Sequence, residues 1–230
     1  MTDRPILFSA PMVRTILDGS KTQTRRVIKP QPYLDKMGNA CCDGWILGQG
    51  ADRVPNFESL ASPIPRSSTG RVWCPYGQIG DRLWVREEHY RFGHWEEVSS
   101  VRTRTGRQKW AFVQDSREVL FDAPAEFRKG RHNKDTLTPA WHKRLARFMP
   151  RSASRITLEI TDVRVERLQD ISRGDAMEEG CPFPNMASGD DPRRWFSELW
   201  QSINGPASWE ANPWVWVIGF KRVDGGKAGE

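Results

Sequence analysis

The sequence predicts an α+β fold: a small mixed β-barrel with helices on its rim and long loop insertions. Three observations predict it. The elements run helix, loop, strands, helix, helix, strand. The strands are short, rich in β-branched and aromatic residues, and set apart by turn residues. The glycine-rich phosphate loop of a doubly wound sheet is missing. At 230 residues the chain is long enough to bury a core of its own. It reads as a single domain over 1–223, with insertions at about 30–78 and 95–153 and a disordered tail over 224–230.

The first element is a helix over 9–18. Ser9 suits its N-cap, Pro11 its first turn, and Met12, Val13, Ile16 and Leu17 fall on one face before Gly19 ends it. Residues 30–78 lack periodicity and carry repeated Pro, Gly and Ser turn chemistry. After Gly80-Asp81, Leu83 and Val85 alternate with Arg82, Trp84 and Arg86 as in a strand, and a second strand runs through 109–113. Between 125 and 155 the only pattern is a short helix over Ala140–Phe148. From Arg155 to Leu168 apolar and polar residues alternate, and the phase reverses after Thr161-Asp162. This is one long strand with a bulge, or two strands around a tight bend. Ser172 caps a short helix, with Asp175 close to a capping-box position and Gly180 at its end. Asp191-Pro192 starts a longer helix whose Trp195, Phe196, Leu199, Trp200 and Ile203 form a wide apolar stripe, read as core. Residues 214–220 close the domain as a strand.

The formal charge is +6, and the pI is near 9.3. Nine Lys/Arg and two acids lie between Ala125 and Arg155, so the remainder is about neutral. A basic patch this concentrated points to a polyanionic partner, against the alternative of a solubilising loop. No apolar run approaches the roughly 20 residues that span a bilayer, and the N-terminus lacks a signal-peptide core. The expectation is a cytoplasmic protein without membrane contact. Cys41, Cys42, Cys74 and Cys181 have no zinc-ligand spacing and read as reduced thiols. His89, His94, His132 and His142 are scattered, with no pairing pattern. No metal set and no cofactor is expected, and the oligomeric state is left open.

The stretch Gly19-Ser-Lys-Thr-Gln-Thr-Arg-Arg26 places hydroxyls and cations just past a helix end. Arg25 and Arg26 near Lys21 disfavour another charge, and a partly neutral lysine is a general base. A threonine within reach, Thr24, is then a nucleophile. Lys21 and Thr24 share a face in helical or turn-like backbone and oppose each other in extended backbone. The alternative is an ordinary solvated turn.

Residues 6–26 resemble the opening of ASCH-domain proteins, relatives of the PUA domains of RNA-modifying enzymes. The family pattern Gly-x-Lys-Thr-x-Thr-x-Arg is matched by Gly19, Lys21, Thr22, Thr24 and Arg26. Gly80–Glu87 is similar to the family's Gly-Asp-x-Leu strand, Leu168–Gly180 to its acidic helix, and Trp214–Val223 to its last strand. The long layout resembles that of phage and prophage members. The resemblance implies a β-barrel with a cleft against its helices. It also implies hydrolysis of the acetyl amide of N(4)-acetylcytidine, with Lys21 as base, Thr24 as nucleophile and Glu179 as proton donor. Thr22, Arg25 and Arg26 join as substrate-binding residues, Arg26 at the developing oxyanion. Arg86 and Glu87 line the pocket or form a surface ion pair.

The chain is about twice the size of a minimal member, and its additions suit a polymer substrate. Arg128, Lys129, Arg131, Lys143, Arg144 and Arg147 then neutralise phosphates, and Trp110 or Trp141 stacks on bases. The expected partner is a modified nucleoside or single-stranded nucleic acid. The alternatives are a reader of RNA or modified DNA without turnover, and a single-strand RNA nuclease that uses Lys21 and Arg26 as phosphate ligands.

Overall fold

The computed structural model describes residues 2–34, 40–42, 45–48, 74–131, 135–182 and 191–223. In chain order the elements are β1 (Asp3–Leu7), α1 (Ala10–Leu17), β2 (Gln23–Val27), β3 (Tyr33–Leu34), β4 (Ala40–Cys42), β5 (Trp45–Gly48) and β6 (Arg82–Arg86). They continue with β7 (His89–Arg102), β8 (Gln108–Leu120), β9 (Ala140–Arg144), β10 (Thr157–Arg167), α2 (Arg173–Glu178), α3 (Pro192–Asn204) and β11 (Trp214–Val223). The class is mixed α+β, mostly sheet. The residues group into two compact units: Met1–Ile6, Pro11–Trp84 and Ile156–Glu230 form the first, and Leu7–Ala10 with Val85–Arg155 the second. Among the described residues no helix is long and apolar enough to cross a membrane.

The first unit is built on a five-stranded sheet of order β1-β6-β10-β11-β2. Its pairing ends at β1 and β2, so the expected barrel is not closed by backbone hydrogen bonds among the described residues. β11 lies between β10 and β2, and Val215, Trp216, Val217, Ile218 and Phe220 are all buried. A strand covered on both faces reads as a continuous apolar run, as this one does. Val215 and Val217 pack with Leu168, Ile171, Ala176, Phe196 and Trp200, the core that α2 and α3 place on one face. The long strand expected over 155–168 is β10, and its register shifts between Ile160 and Asp162, where the sequence changes phase. Gly219 opposes that bulge, and a Cβ there would come within 3.1 Å of the Asp162 Cβ.

The helix ends follow local chemistry. Gly19 at φ +84° lets the chain leave α1. Ser172 and Asp175 form a reciprocal capping box on α2. Asp191 caps α3, with Pro192 in its first turn. Of the stripe on α3, Phe196 and Trp200 are buried, whereas Ile203 is 55% exposed. Within 30–78 a small sheet of order β3-β4-β5 occurs. Most of that insertion and the tail over 224–230 lie outside the described residues.

The second unit carries a three-stranded sheet of order β8-β7-β9. The segment taken as an insertion over 95–153 is therefore paired strand for much of its length. The helix expected over Ala140–Phe148 is instead β9 followed by a 3-10 turn over Ala146–Phe148. A short helix is marginal on its own, whereas Ala140–Arg144 finds a full antiparallel partner in His89–Gly93. Arg128 adds a bridge on the other side, donating its N–H to the Trp141 carbonyl and accepting from the Lys143 N–H at 2.8 Å each.

Gly93 sits where β7 meets β8. A Cβ there would overlap the Val113 carbonyl oxygen and reach 2.7 Å from Phe112 Cζ. Gly93→Ala is expected to destabilise the protein by about 1–3 kcal/mol, since backbone cannot yield as a side-chain tip can. A urea titration matching wild type would contradict this.

Candidate functional site

The chain leaving α1 is held by backbone before any side chain acts. The Lys21 N–H donates to the Thr15 carbonyl, the Thr22 N–H to the Glu178 carbonyl, and the Thr22 carbonyl accepts from the Phe220 N–H. Lys21 also forms an antiparallel bridge with Glu179, just past α2. Ser172 fixes the start of α2 and Gly180, at φ +93°, its exit. The acidic end of that short helix is thereby laid against the start of β2.

Lys21, Gln23, Thr24 and Arg25 are all buried. Buried charge is costly unless it is paired and hydrogen-bonded, and the partners are present. Lys21 Nζ donates to Glu179 Oε2 at 2.5 Å and to the Glu179 carbonyl at 2.9 Å. Arg25 Nη2 donates to Glu166 Oε2 at 3.0 Å, and Arg25 Nη1 lies 3.4 Å from Glu179 Oε1. Gln23 Nε2 donates to Asp175 Oδ1 at 2.8 Å and to Glu178 Oε2 at 2.6 Å. Arg164 closes the network, donating to Asp162, Glu166 and Asp175 at 2.6–2.8 Å.

Burial pushes the Lys21 amine down, and the charges of Arg26 and Arg25 act the same way, against the pull of Glu179. This is the direction the sequence predicts, with desolvation as the leading cause. Burial also lowers Arg26, opposed by Tyr76 and Glu179. Burial raises the Asp175 carboxyl, yet hydrogen bonds from Gln23 and Ser172 and the charge of Arg25 carry it well below the usual carboxylate range. Such a group stabilises the fold above its unfolded pKa of about 3.9, and that contribution is lost as pH falls through the folded pKa. Wild type is therefore expected to lose more stability than Asp175→Asn between about pH 4 and pH 2. Urea titrations at both pH values check this, and an equal loss in the two proteins would contradict it.

Residues 23–27 are extended, so Gln23 and Arg25 lie on one face of β2 and Thr24 and Arg26 on the other. The condition on Lys21 and Thr24 thus resolves against a shared face. Glu179 links them: it bonds Lys21 and lines, with Thr24, Arg26, Phe196 and Trp200, a cavity of about 70 Å³. A wider cleft of about 420 Å³ is lined by Arg26, Lys29, Pro75, Tyr76, Asn204 and Trp216. Arg26, Val27 and Asn204 line both spaces. The arrangement joins a buried hydroxyl, a carboxylate clamped by two cations, and an aromatic-walled cleft.

Of the residues singled out from sequence, Lys21, Thr24, Arg25, Arg26 and Glu179 come together. Glu179 bonds Lys21, while its neighbour Glu178 bonds Gln23. Thr22 is exposed and contributes backbone. Arg86 and Glu87 belong to the second unit, where Glu87 accepts both Nε and Nη2 of Arg155 at 3.0 Å. The six basic residues are also there. Arg128 pairs with Asp135 and Lys143 with Glu88. Arg131 covers Trp110 at 4.2 Å, Arg144 covers Phe112 at 4.4 Å, Arg147 covers Phe148 at 5.0 Å, and Lys129 is exposed. Trp141 meets Phe92 edge-to-face. Sequence reasoning missed Gln23, Arg164 and Glu166, and saw in Asp175 only a cap. The signal for Arg164 and Glu166 is two charges two apart within a strand pattern, which alone names no partner. Among the described residues no three His, Cys, Asp or Glu side chains gather as a metal set. Compared with protein-family models, with curated proteins and with solved structures, the chain finds no match.

Proposed function

We propose that the first unit hydrolyses the amide of an N(4)-acylated cytosine, free or within a nucleic acid. The observation that carries this reading is the buried Lys21–Glu179 pair at 2.5 Å beside a cavity that Thr24 also lines. The likeness of residues 6–26, 80–87, 168–180 and 214–223 to ASCH-domain proteins supports it, and with it a PUA-like relation of the fold. In this reading Thr24 Oγ attacks the acyl carbonyl, and its proton passes to Glu179. Arg26 faces the developing oxyanion. Collapse of the tetrahedral intermediate breaks the C–N bond, and Glu179 returns the proton to the leaving cytosine amine. Water attacks the acyl-threonine and gives its proton to Glu179; the bond between the acyl carbon and Thr24 Oγ then breaks, Glu179 returns the proton to Thr24 Oγ, and the carboxylic acid departs. Lys21 Nζ orients Glu179 through its hydrogen bond to Oε2, in place of the base role that the resemblance implies for it. The wider cleft falls in the size range of small-molecule sites, with Tyr76 and Trp216 as walls for a base.

The test is incubation with N(4)-acetylcytidine, and with an oligonucleotide carrying it, followed by chromatography. Release of cytosine-form product is expected. No product from either substrate at high enzyme concentration sinks the reading.

A second reading rests on the arginine–aromatic pairs of the second unit, which suit a single-stranded nucleic acid. About six phosphate contacts would cost roughly a thousandfold in affinity between 50 and 200 mM salt. Oligonucleotide affinity independent of salt would remove this reading.

A further inference from the structure

The pairing of β7 with β9 sets His89 opposite Arg144 and Arg91 opposite His142. Residues directly opposite, and those two apart on one strand, share a face of a sheet. His89, Arg91, His142 and Arg144 therefore form a block of four basic side chains on one face of the second unit. Its neighbours are aromatic. The His142 ring lies 5.3 Å from Phe112 and 6.2 Å from Trp95, and the Arg144 guanidinium lies over both.

Both imidazoles are fully buried, and their Nδ1 atoms are engaged. His89 Nδ1 meets the Glu87 carbonyl at 3.1 Å; His142 Nδ1 meets the Gly130 carbonyl at 3.2 Å and the Trp95 indole N–H at 3.3 Å. Their Nε2 atoms and the Nε of Arg91 are buried without a hydrogen-bond partner among the described residues. Nor does a carboxylate pair with Arg91 or Arg144 among those residues, whereas the Arg128, Lys143 and Arg155 side chains of the same unit each have one. Buried polar atoms are seldom left unsatisfied, and cations packed together without a counter-charge raise one another's cost. Burial lowers both imidazoles, and the neighbouring arginines add to it, Arg91 and Arg144 at His89 and Arg128 and Arg144 at His142.

A compact oxyanion answers the missing counter-charge of Arg91 and Arg144, and its charge favours the protonated rings, in which the Nε2–H groups of His89 and His142 donate to it. We propose that the His89–Arg91–His142–Arg144 block binds a phosphate group, either free or from a nucleic-acid backbone. Guanidinium and imidazole donors suit phosphate oxygens, and arginine gives two parallel bonds where geometry allows. This site is independent of the hydrolase reading of the first unit, since no residue is shared.

The test uses the full chain, labelled at the histidine ring nitrogens and observed by NMR. It is titrated with inorganic phosphate and, separately, with a single-stranded oligonucleotide, each against sodium chloride at matched ionic strength. The expected result is a saturable shift of the His89 and His142 Nε2 resonances. Arg91→Gln, at a half-buried position, weakens binding by about tenfold, and Arg104→Gln, in the exposed turn between β7 and β8, leaves it unchanged. A response to phosphate alone supports a free-phosphate site, and a response to the oligonucleotide supports a backbone site. Shifts no larger than chloride produces, or equal affinity in Arg91→Gln, overturn the proposal. A thermal melt of each variant confirms that the comparison is between folded proteins.

Discussion

Lys21→Ala is expected to destabilise the folded protein by about 3–5 kcal/mol, a large share of the margin of a typical domain. Lys21 is 2% exposed and Glu179 4%, so neither has water to fall back on. Removing the amine leaves the Glu179 carboxylate buried, with Arg25 at 3.4 Å and the charge of Arg26 to offset it. It also frees the Glu179 carbonyl, which Lys21 Nζ holds at 2.9 Å. Breaking a buried pair on one side costs more than removing both charges, because the single variant strands a charge in a poorly solvating site. Lys21→Met combined with Glu179→Leu should therefore unfold at a higher denaturant concentration than Lys21→Met alone. Urea titrations of wild type, Lys21→Met, Glu179→Leu and the double variant give the coupling energy directly. A loss below about 1 kcal/mol for Lys21→Ala would mean that water reaches Glu179.

Under the proposed hydrolysis, Thr24→Val is expected to lose about a thousandfold or more in rate while leaving the fold in place. Valine matches the shape of threonine and lacks the oxygen, so the 3% exposed site is refilled without a cavity. Thr24→Ser keeps the oxygen and should keep measurable turnover. The pair of variants separates a nucleophile from a residue that only shapes the cavity. If the protein is a reader without turnover, Thr24→Val retains most of its affinity for the modified base. Rates from single-turnover chromatography, with a thermal melt for each variant, decide between these. Full activity in Thr24→Val would remove Thr24 from the chemistry and the acyl-threonine with it.

Local structure was legible wherever a few neighbouring residues settle the matter. Gly19 ends α1 because it takes a positive φ at no steric cost. Ser172 and Asp175 announce α2 because both halves of the capping box lie three residues apart. The bulge in β10 shows as a change of phase, since a side chain's face follows from its parity in the strand. The candidate cations and hydroxyls of 19–26 were legible for the same reason: they are contiguous.

What the sequence by itself determined, then, is the helices α1, α2 and α3 with their ends, the strands β6, β10 and β11, and that a contiguous set of hydroxyls and cations follows α1. Only the tertiary structure decided what those side chains meet. Lys21 and Glu179 are 158 residues apart, and Gln23 and Asp175 are 152 apart. His89 and His142 looked scattered until β7 and β9 set them on one face. β9 itself read as helix until an open strand edge offered it partners. The physical reason is common to all of these. Turns, caps and alternation depend on sterics and hydrogen bonds within a few residues. The burial of a charge, by contrast, depends on whether a distant segment brings a counter-charge or a donor to the same place. No local pattern carries that information, because it is written in the register of strands that meet only when the chain folds.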